Sequence, residues 1–159
     1  MNDRAIASRG GIMEWREFHV GWGNLDSNGH MRNTAYLDLA VDARMMFFRD
    51  HGFPSSEFSR LQFGPVVKKD EIEFFHELRL LDRVRVSFEL AGMNEEGSRF
   101  RLRNRFMNDA DQVCAQVTTT GGWLDLTVRK LKPPPEGLLA AMQLVPRTAD
   151  FEDIVSKRG

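Results

Sequence analysis

A chain of 159 residues with 42% hydrophobic side chains, 12 Phe among them, has the size and apolar content of one globular domain. Its formal net charge of -1 leaves no surplus of Lys and Arg, which excludes a general binder of nucleic acid or of an anionic membrane surface. The single cysteine, Cys114, excludes an intramolecular disulfide, no apolar run approaches the about 20 residues of a membrane span, and no apolar signal core stands at the N-terminus, so a cytoplasmic protein is expected.

Residues 1–13 lack periodicity and carry Gly10-Gly11, which predicts a loose leader before the first strand. Trp15 to Trp22 reads as a strand that runs into Gly23. From Thr34 to Asp50, Tyr36, Leu39, Ala40, Ala43, Met46 and Phe47 recur at spacings of three and four, the pattern of one apolar helix face. Asn33 or Thr34 is a suitable cap at its start, and His51-Gly52 ends it. This is the one long helix expected.

Beyond a turn at Pro54-Ser55-Ser56, the stretch from Pro65 to Leu78 alternates Ile72 and Phe74 with Glu71 and Glu73, as a half-buried strand does. Arg83 to Leu90 alternates again, with Val84, Val86, Phe88 and Leu90 on one face. Asn94-Glu95-Glu96-Gly97 turns the chain into a strand where Phe100, Leu102 and Phe106 alternate with Arg99, Arg101, Arg103 and Arg105. Asn108 to Asp111 forms a second turn into a strand from Gln112 to about Val128, where Gly121-Gly122 suggests a bulge or a change of phase. Pro133-Pro134-Pro135 closes the sheet, Glu136 to Gln143 adds a short helix, and residues 146–159 are expected as a loose tail.

The order predicts an α+β domain over residues 14–145, a curled antiparallel sheet of about five strands wrapped around one long helix. The junction between first strand and helix, Gly21 to Arg44, has the strongest chemical character. It holds one acid, Asp26, in a polar loop directly before a helix start. A helix N-terminus offers backbone N–H groups and a partial positive charge, so a developing oxyanion can be held beside that carboxylate. That is the outline of an acyl-transfer site.

The segment resembles a known pattern: Trp22-Gly23, Asn24-Leu25-Asp26, Gly29-His30-Met31, Asn33, Tyr36 and Ala43-Arg44. With EIEFFHELRLLDRVRV and KLKPPPEGL further on, the chain is similar to the hotdog-fold thioesterases of the 4-hydroxybenzoyl-CoA thioesterase and acyl-CoA thioester hydrolase type. The resemblance implies that Asp26 is the catalytic carboxylate, as nucleophile or general base, and that the backbone N–H near Asn33 polarises the thioester oxygen. It implies substrate contacts from Asn24, Gly29, His30, Met31 and Tyr36. It further implies acyl-CoA as substrate, with coenzyme A entering as part of it and no cofactor, and assembly as a homodimer or homotetramer through sheet edges.

Two positions depart from the family pattern. Asn24 replaces the first acid of a pair, and Val41, with Asp42 beside it, stands where many relatives carry Glu on the helix. Asp26 therefore has no partner carboxylate in the motif. Simpler roles exist for several of these residues: Asp-Ser-Asn-Gly is ordinary turn chemistry, Asn33 a helix cap, His30 a packed loop residue. The alternating arginines suit a solvated sheet face, with Lys68, Lys69, Arg129 and Lys130 as further candidates for CoA phosphates, and Cys114 suits a small core position. Phe47, Phe48, Phe53, Phe58 and Phe63 suit either the core or an acyl pocket. His19, His30, His51 and His76 lack metal-ligand spacing, so no bound metal is expected. A hotdog hydratase needs a His and Glu pair that the sequence does not show, and a non-catalytic acyl-CoA-binding domain is the third reading.

Overall fold

The computed structural model describes residues 4–6 and 11–155. Short strands β1 (Arg4–Ile6) and β2 (Ile12–Glu14) pair antiparallel, which replaces part of the expected leader; its residues 1–3 and 7–10 lie outside the described residues. The strand β3 (Arg16–His19), helix α1 (Asn33–Asp50), helix α2 (Ser55–Leu61) and strand β4 (Phe63–Phe74) follow. Then come β5 (Arg83–Val86), β6 (Glu89–Met93), β7 (Arg99–Met107), β8 (Val113–Asp125), β9 (Lys130–Leu131), α3 (Glu136–Leu144) and β10 (Arg147–Asp153).

The main sheet contains eight strands that occupy five positions. At its centre β7 pairs with β8, and β4 pairs with the far edge of β8. The other edge of β7 meets β5 and β6, which are one strand path broken at Ser87-Phe88. Beyond them lie β3, antiparallel to β5, and β10, parallel to β6. This is the curled sheet around a long helix that the hotdog pattern requires. Three helices are present: α1 is the one long helix expected, α3 is the short helix expected from Glu136 to Gln143, and α2 replaces part of what was read as a turn.

Burial along α1 follows the expected face at Tyr36, Leu39, Ala40, Ala43 and Phe47, adds Phe48, and leaves Met46 half-buried. Two apolar clusters result. One gathers Tyr36, Leu39 and Ala40 of α1 with Leu78, Val84, Val86, Phe106 and Val117, and the fully buried Cys114 packs there too. The other gathers Phe47, Phe48, Phe53, Phe58 and Phe63 with Phe100 and Trp123, so these five phenylalanines are core.

Between the clusters runs a polar layer. Arg44, 7% exposed, donates from Nε to Asn104 Oδ1 at 2.9 Å and from Nη2 to Thr119 Oγ1 at 2.8 Å. The Thr119 hydroxyl in turn donates to Asp70 on β4. Burial brings the Arg44 guanidinium down to about 10, against the pull of Asp70, and still leaves it charged at neutral pH.

Gly121 and Gly122 do not interrupt β8. The irregularity falls on β4 between Val67 and Lys69, and Ala115, Val117, Thr119 and Trp123 of β8 stay buried throughout. Gly121 is required by proximity: a Cβ there would lie 2.1 Å from the Val66 carbonyl oxygen. Gly121→Ala must therefore force β4 from β8, with an expected loss of about 2 kcal/mol or more. An unchanged thermal midpoint would remove this reading of the glycine.

Residues 147–153 were expected within a loose tail, yet they form β10. Its register with β6 shifts between Arg147 and Glu152, and Arg103 Nη1 anchors it to Asp150 Oδ1 at 2.7 Å. That contact, first, holds the Asp150 carboxyl down at about 2.

Candidate active site

The chain leaves β3 through Val20, makes a tight turn at Trp22–Asn24, and returns to α1 through a loop built on Asp26. Asp26 Oδ1 accepts from the amides of Asn28 at 2.8 Å and His30 at 3.1 Å, which is the turn chemistry of an Asp-Ser-Asn-Gly run. The backbone reinforces it: Asp26 N–H donates to His30 O at 2.7 Å, and Gly29 N–H donates to Asp26 O at 3.2 Å. Gly29 turns the loop with φ of 78°, in the left-handed region that glycine enters freely.

These bonds fix one carboxylate oxygen and leave Oδ2 without a hydrogen bond from the described residues. The His30 amide first, then that of Asn28 and the charge of His30, hold the exposed Asp26 carboxyl below the usual carboxylate range. Asp26 is thus ionised at any ordinary pH.

The loop is clamped to the segment that follows β4. Met31 N–H donates to Leu78 O at 2.8 Å, and an isolated bridge joins His30 to Arg79. Between the two segments opens a cleft of about 540 Å³, lined by Asp26, His30, Met31, Asn33 and Tyr36 on one side and by Phe74 to Leu78 on the other. The cleft therefore unites five of the seven residues named from the sequence.

Asn24 and Gly29 stand outside the cleft lining. Asn24 Oδ1 accepts from Gly21 N–H at 2.9 Å and Asn24 O accepts from Arg32 N–H at 2.8 Å, so this side chain shapes the turn where a partner acid was absent. The helix cap also differs from expectation. Arg32 is the N-cap and makes no side-chain cap bond, while Asn33 is the first helical residue, its Oδ1 accepting from the Thr34 amide at 2.8 Å. An unoccupied cap matters chemically, because the first backbone N–H groups of a helix have no acceptor within it. The Asn33 amide is such a group, at the cleft.

Tyr36 sits one turn into α1, 2% exposed, its ring edge-on to Phe74 at 5.4 Å and Phe106 at 5.1 Å. Burial pushes its phenol up to about 12, with Cys114 and Asp26 adding to the shift, so it remains a neutral donor. Val41, one of the two departures from the resembled pattern, is 48% exposed and lies outside the cleft.

Phe74, Phe75, His76, Glu77 and Leu78 were not singled out as site residues from the sequence. Glu77 brings a particular contact: its Oε2 lies 3.1 Å from His30 Nε2. Here is a His and Glu pair that the sequence analysis did not locate, because its members belong to different segments. Two of the four arginines of the stripe are committed elsewhere, Arg103 to Asp150 and Arg105 to Glu89, each at 2.7 Å. Lys68 and Arg99 line a second groove with Val66, Val67 and Leu131. Among the described residues no group of three or more His, Cys, Asp or Glu is placed to share a metal ion, and no helix is long and apolar enough to cross a membrane.

Comparison with known proteins agrees with this architecture. The thioesterase-like superfamily profile matches residues 20–142, from the end of β3 through most of α3. No functionally curated protein matches the chain. Among solved structures, a gentisyl-coenzyme A thioesterase is 21% identical with a TM-score of 0.70, covering 79% of this chain and 99% of its own. A 1,4-dihydroxy-2-naphthoyl-CoA thioesterase from Synechocystis is 19% identical with a TM-score of 0.73, over 82% of this chain and 95% of its own. A hypothetical protein from Staphylococcus aureus, solved in complex with CoA, is 15% identical with a TM-score of 0.75, over 91% of this chain and 94% of its own. At these identities the structures speak for the fold, while the profile spans most of the chain: the protein belongs to the thioesterase-like superfamily and has its hotdog architecture.

Proposed function

We propose that the protein hydrolyses acyl-CoA thioesters to the free acid and coenzyme A, with Asp26 as the attacking carboxylate. The observation that carries this is the single acid of the loop, fixed through one oxygen by two backbone amides and facing the cleft that α1 begins. A general base works best with a pKa near the working pH, and the amides hold Asp26 below the ordinary carboxylate range. That direction favours a nucleophile, which needs only to be ionised. The Asn33 amide would receive the oxygen as negative charge develops on it. No cofactor takes part in this chemistry, and coenzyme A enters with the substrate.

Phe74, Phe75, Met31 and Leu78 supply apolar surface for the acyl group, and the superfamily supports a CoA or related thioester. The test is a panel of aliphatic and aromatic acyl-CoA substrates with thiol detection. Release of thiol above the buffer rate supports hydrolysis, and tight binding without release would make the protein an acyl-CoA-binding domain instead. The His30–Glu77 pair gives the hydratase reading one observation in its favour, so a 2-enoyl-CoA belongs in the panel. Loss of enoyl absorbance without thiol release would favour water addition.

Assembly as a homodimer is part of the same proposal. The outer edge of β4 has no neighbour among the described residues, and Val66, Val67 and Phe74 on it are 38%, 50% and 56% exposed. A strand of 12 residues with that edge open is a template for pairing with a second copy. Because the cleft is built from the end of β4, such pairing would set the partner beside it. Sedimentation is expected to show at least a dimer, and an active monomer would refute this part.

A further inference from the structure

The hydrolysis of an acyl group from Asp26 requires a second group that Asp26 itself cannot replace. Once its carboxylate carries the acyl group, it has no charge left to draw a proton from water. Two imidazoles line the cleft, His30 and His76, and His30 is the one in the loop that carries Asp26. His30 is half-buried, follows Gly29 in the Asp26 loop, and gives its backbone amide to Asp26 Oδ1.

The ring is held from across the cleft. Glu77 Oε2 lies 3.1 Å from His30 Nε2 and belongs to the segment after β4. A carboxylate at that distance favours the proton on Nε2, which leaves the lone pair on Nδ1. The main chain sets the same register, through the His30–Arg79 bridge and the bond from Met31 N–H to Leu78 O at 2.8 Å. The charged groups around the ring are Glu77 and Asp26, with Arg32 and His76 lining the cleft and Arg79 at 3.5 Å from Glu77. A carboxylate that orients a histidine beside a nucleophile is the recurring arrangement of acyl-transfer sites.

We infer that His30 is the general base that delivers water to acyl-Asp26, and that Glu77 is the positioning residue that holds it. The inference rests on the thioesterase reading. In the first step Asp26 Oδ2 attacks the thioester carbon, the carbon–sulfur bond breaks, and the CoA thiolate leaves and takes a proton from solvent. In the second, water attacks the acyl carbon while its proton passes to His30 Nδ1. The bond to Asp26 breaks, the electron pair returns to the carboxylate, and His30 releases the proton to solvent.

The test compares wild type, His30→Gln and Glu77→Gln by rapid mixing with an acyl-CoA that the wild type hydrolyses. His30→Gln is expected to release about one thiol per site in a burst and then turn over roughly 100-fold more slowly, because acyl transfer survives and deacylation does not. Glu77→Gln is expected to lower kcat by about 10-fold with little change in KM, because the ring loses the carboxylate that holds it 3.1 Å away. Glu77 is 59% exposed, so this variant tests the inference even if His30→Gln fails to fold. Nitrogen NMR of the His30 ring is expected to show the Nε2–H tautomer in wild type and a shift away from it in Glu77→Gln. An active wild type beside a His30→Gln that keeps its rate, or that slows without a burst, overturns this inference alone. So does a Glu77→Gln with unaltered kcat and unaltered ring signals. A wild type inert toward every thioester overturns both readings together.

Discussion

Asp26→Asn is expected to lower kcat for thioester hydrolysis on the order of 10³-fold while leaving the fold intact. The substitution separates two roles that one side chain holds here. Asparagine keeps an oxygen that can accept the amides of Asn28 and His30, so the loop can close as before. What disappears is the negative charge and the unbonded second oxygen to which the proposal assigns the attack on the thioester. The check is thiol release beside a thermal melt. Wild-type turnover would refute the nucleophile, and a lost melting transition would show that the loop needs the charge itself.

Arg44→Ala is expected to cost about 3–5 kcal/mol, the largest stability effect proposed for this chain. Its guanidinium lies between two apolar clusters, where Asn104 Oδ1 and Thr119 Oγ1 each take one of its hydrogens. Alanine opens a cavity, leaves Asn104 with an unpaired oxygen and removes the positive charge that offsets Asp70. For a domain of this size that loss corresponds to a thermal midpoint lower by on the order of 10 °C. Asp70→Asn provides the companion measurement, with a smaller loss because Asp70 is exposed and solvent screens it. If Arg44→Ala melts with wild type, the polar layer contributes nothing net.

Features set by short-range chemistry were legible from the sequence. Asp26, Gly29 and His30 stand within a few positions of one another, and turn preferences alone place them together. The face of α1 was equally plain, because its spacing answers to helix geometry before any tertiary contact. The rest depended on distance along the chain. The turn read at Pro54-Ser55-Ser56 opens instead the helix Ser55–Leu61, formed where Phe58 reaches Phe48, Phe53 and Trp123. Arg147–Asp153 is poor in β-formers and is a strand because β6 offers a parallel edge. His30 and Glu77 share no local pattern, and only the clamp between their two segments brings them together. Asn24 was a candidate for the substrate because the family pattern has an acid there, whereas here its side chain completes a turn.

The polar layer at Arg44 has a consequence for how this protein can change. It divides the interior into a small-residue compartment under the cleft, rich in alanine and valine, and an aromatic compartment at the far end of α1. Chemistry and ballast are thereby kept apart along one helix. Substitutions that reshape the cleft draw on Tyr36 and Leu78 of the first compartment, while the rings around Trp123 pack in the second. Under the proposed hydrolysis, residues on the cleft side of Arg44 are the natural targets for a specificity library that leaves the aromatic compartment intact.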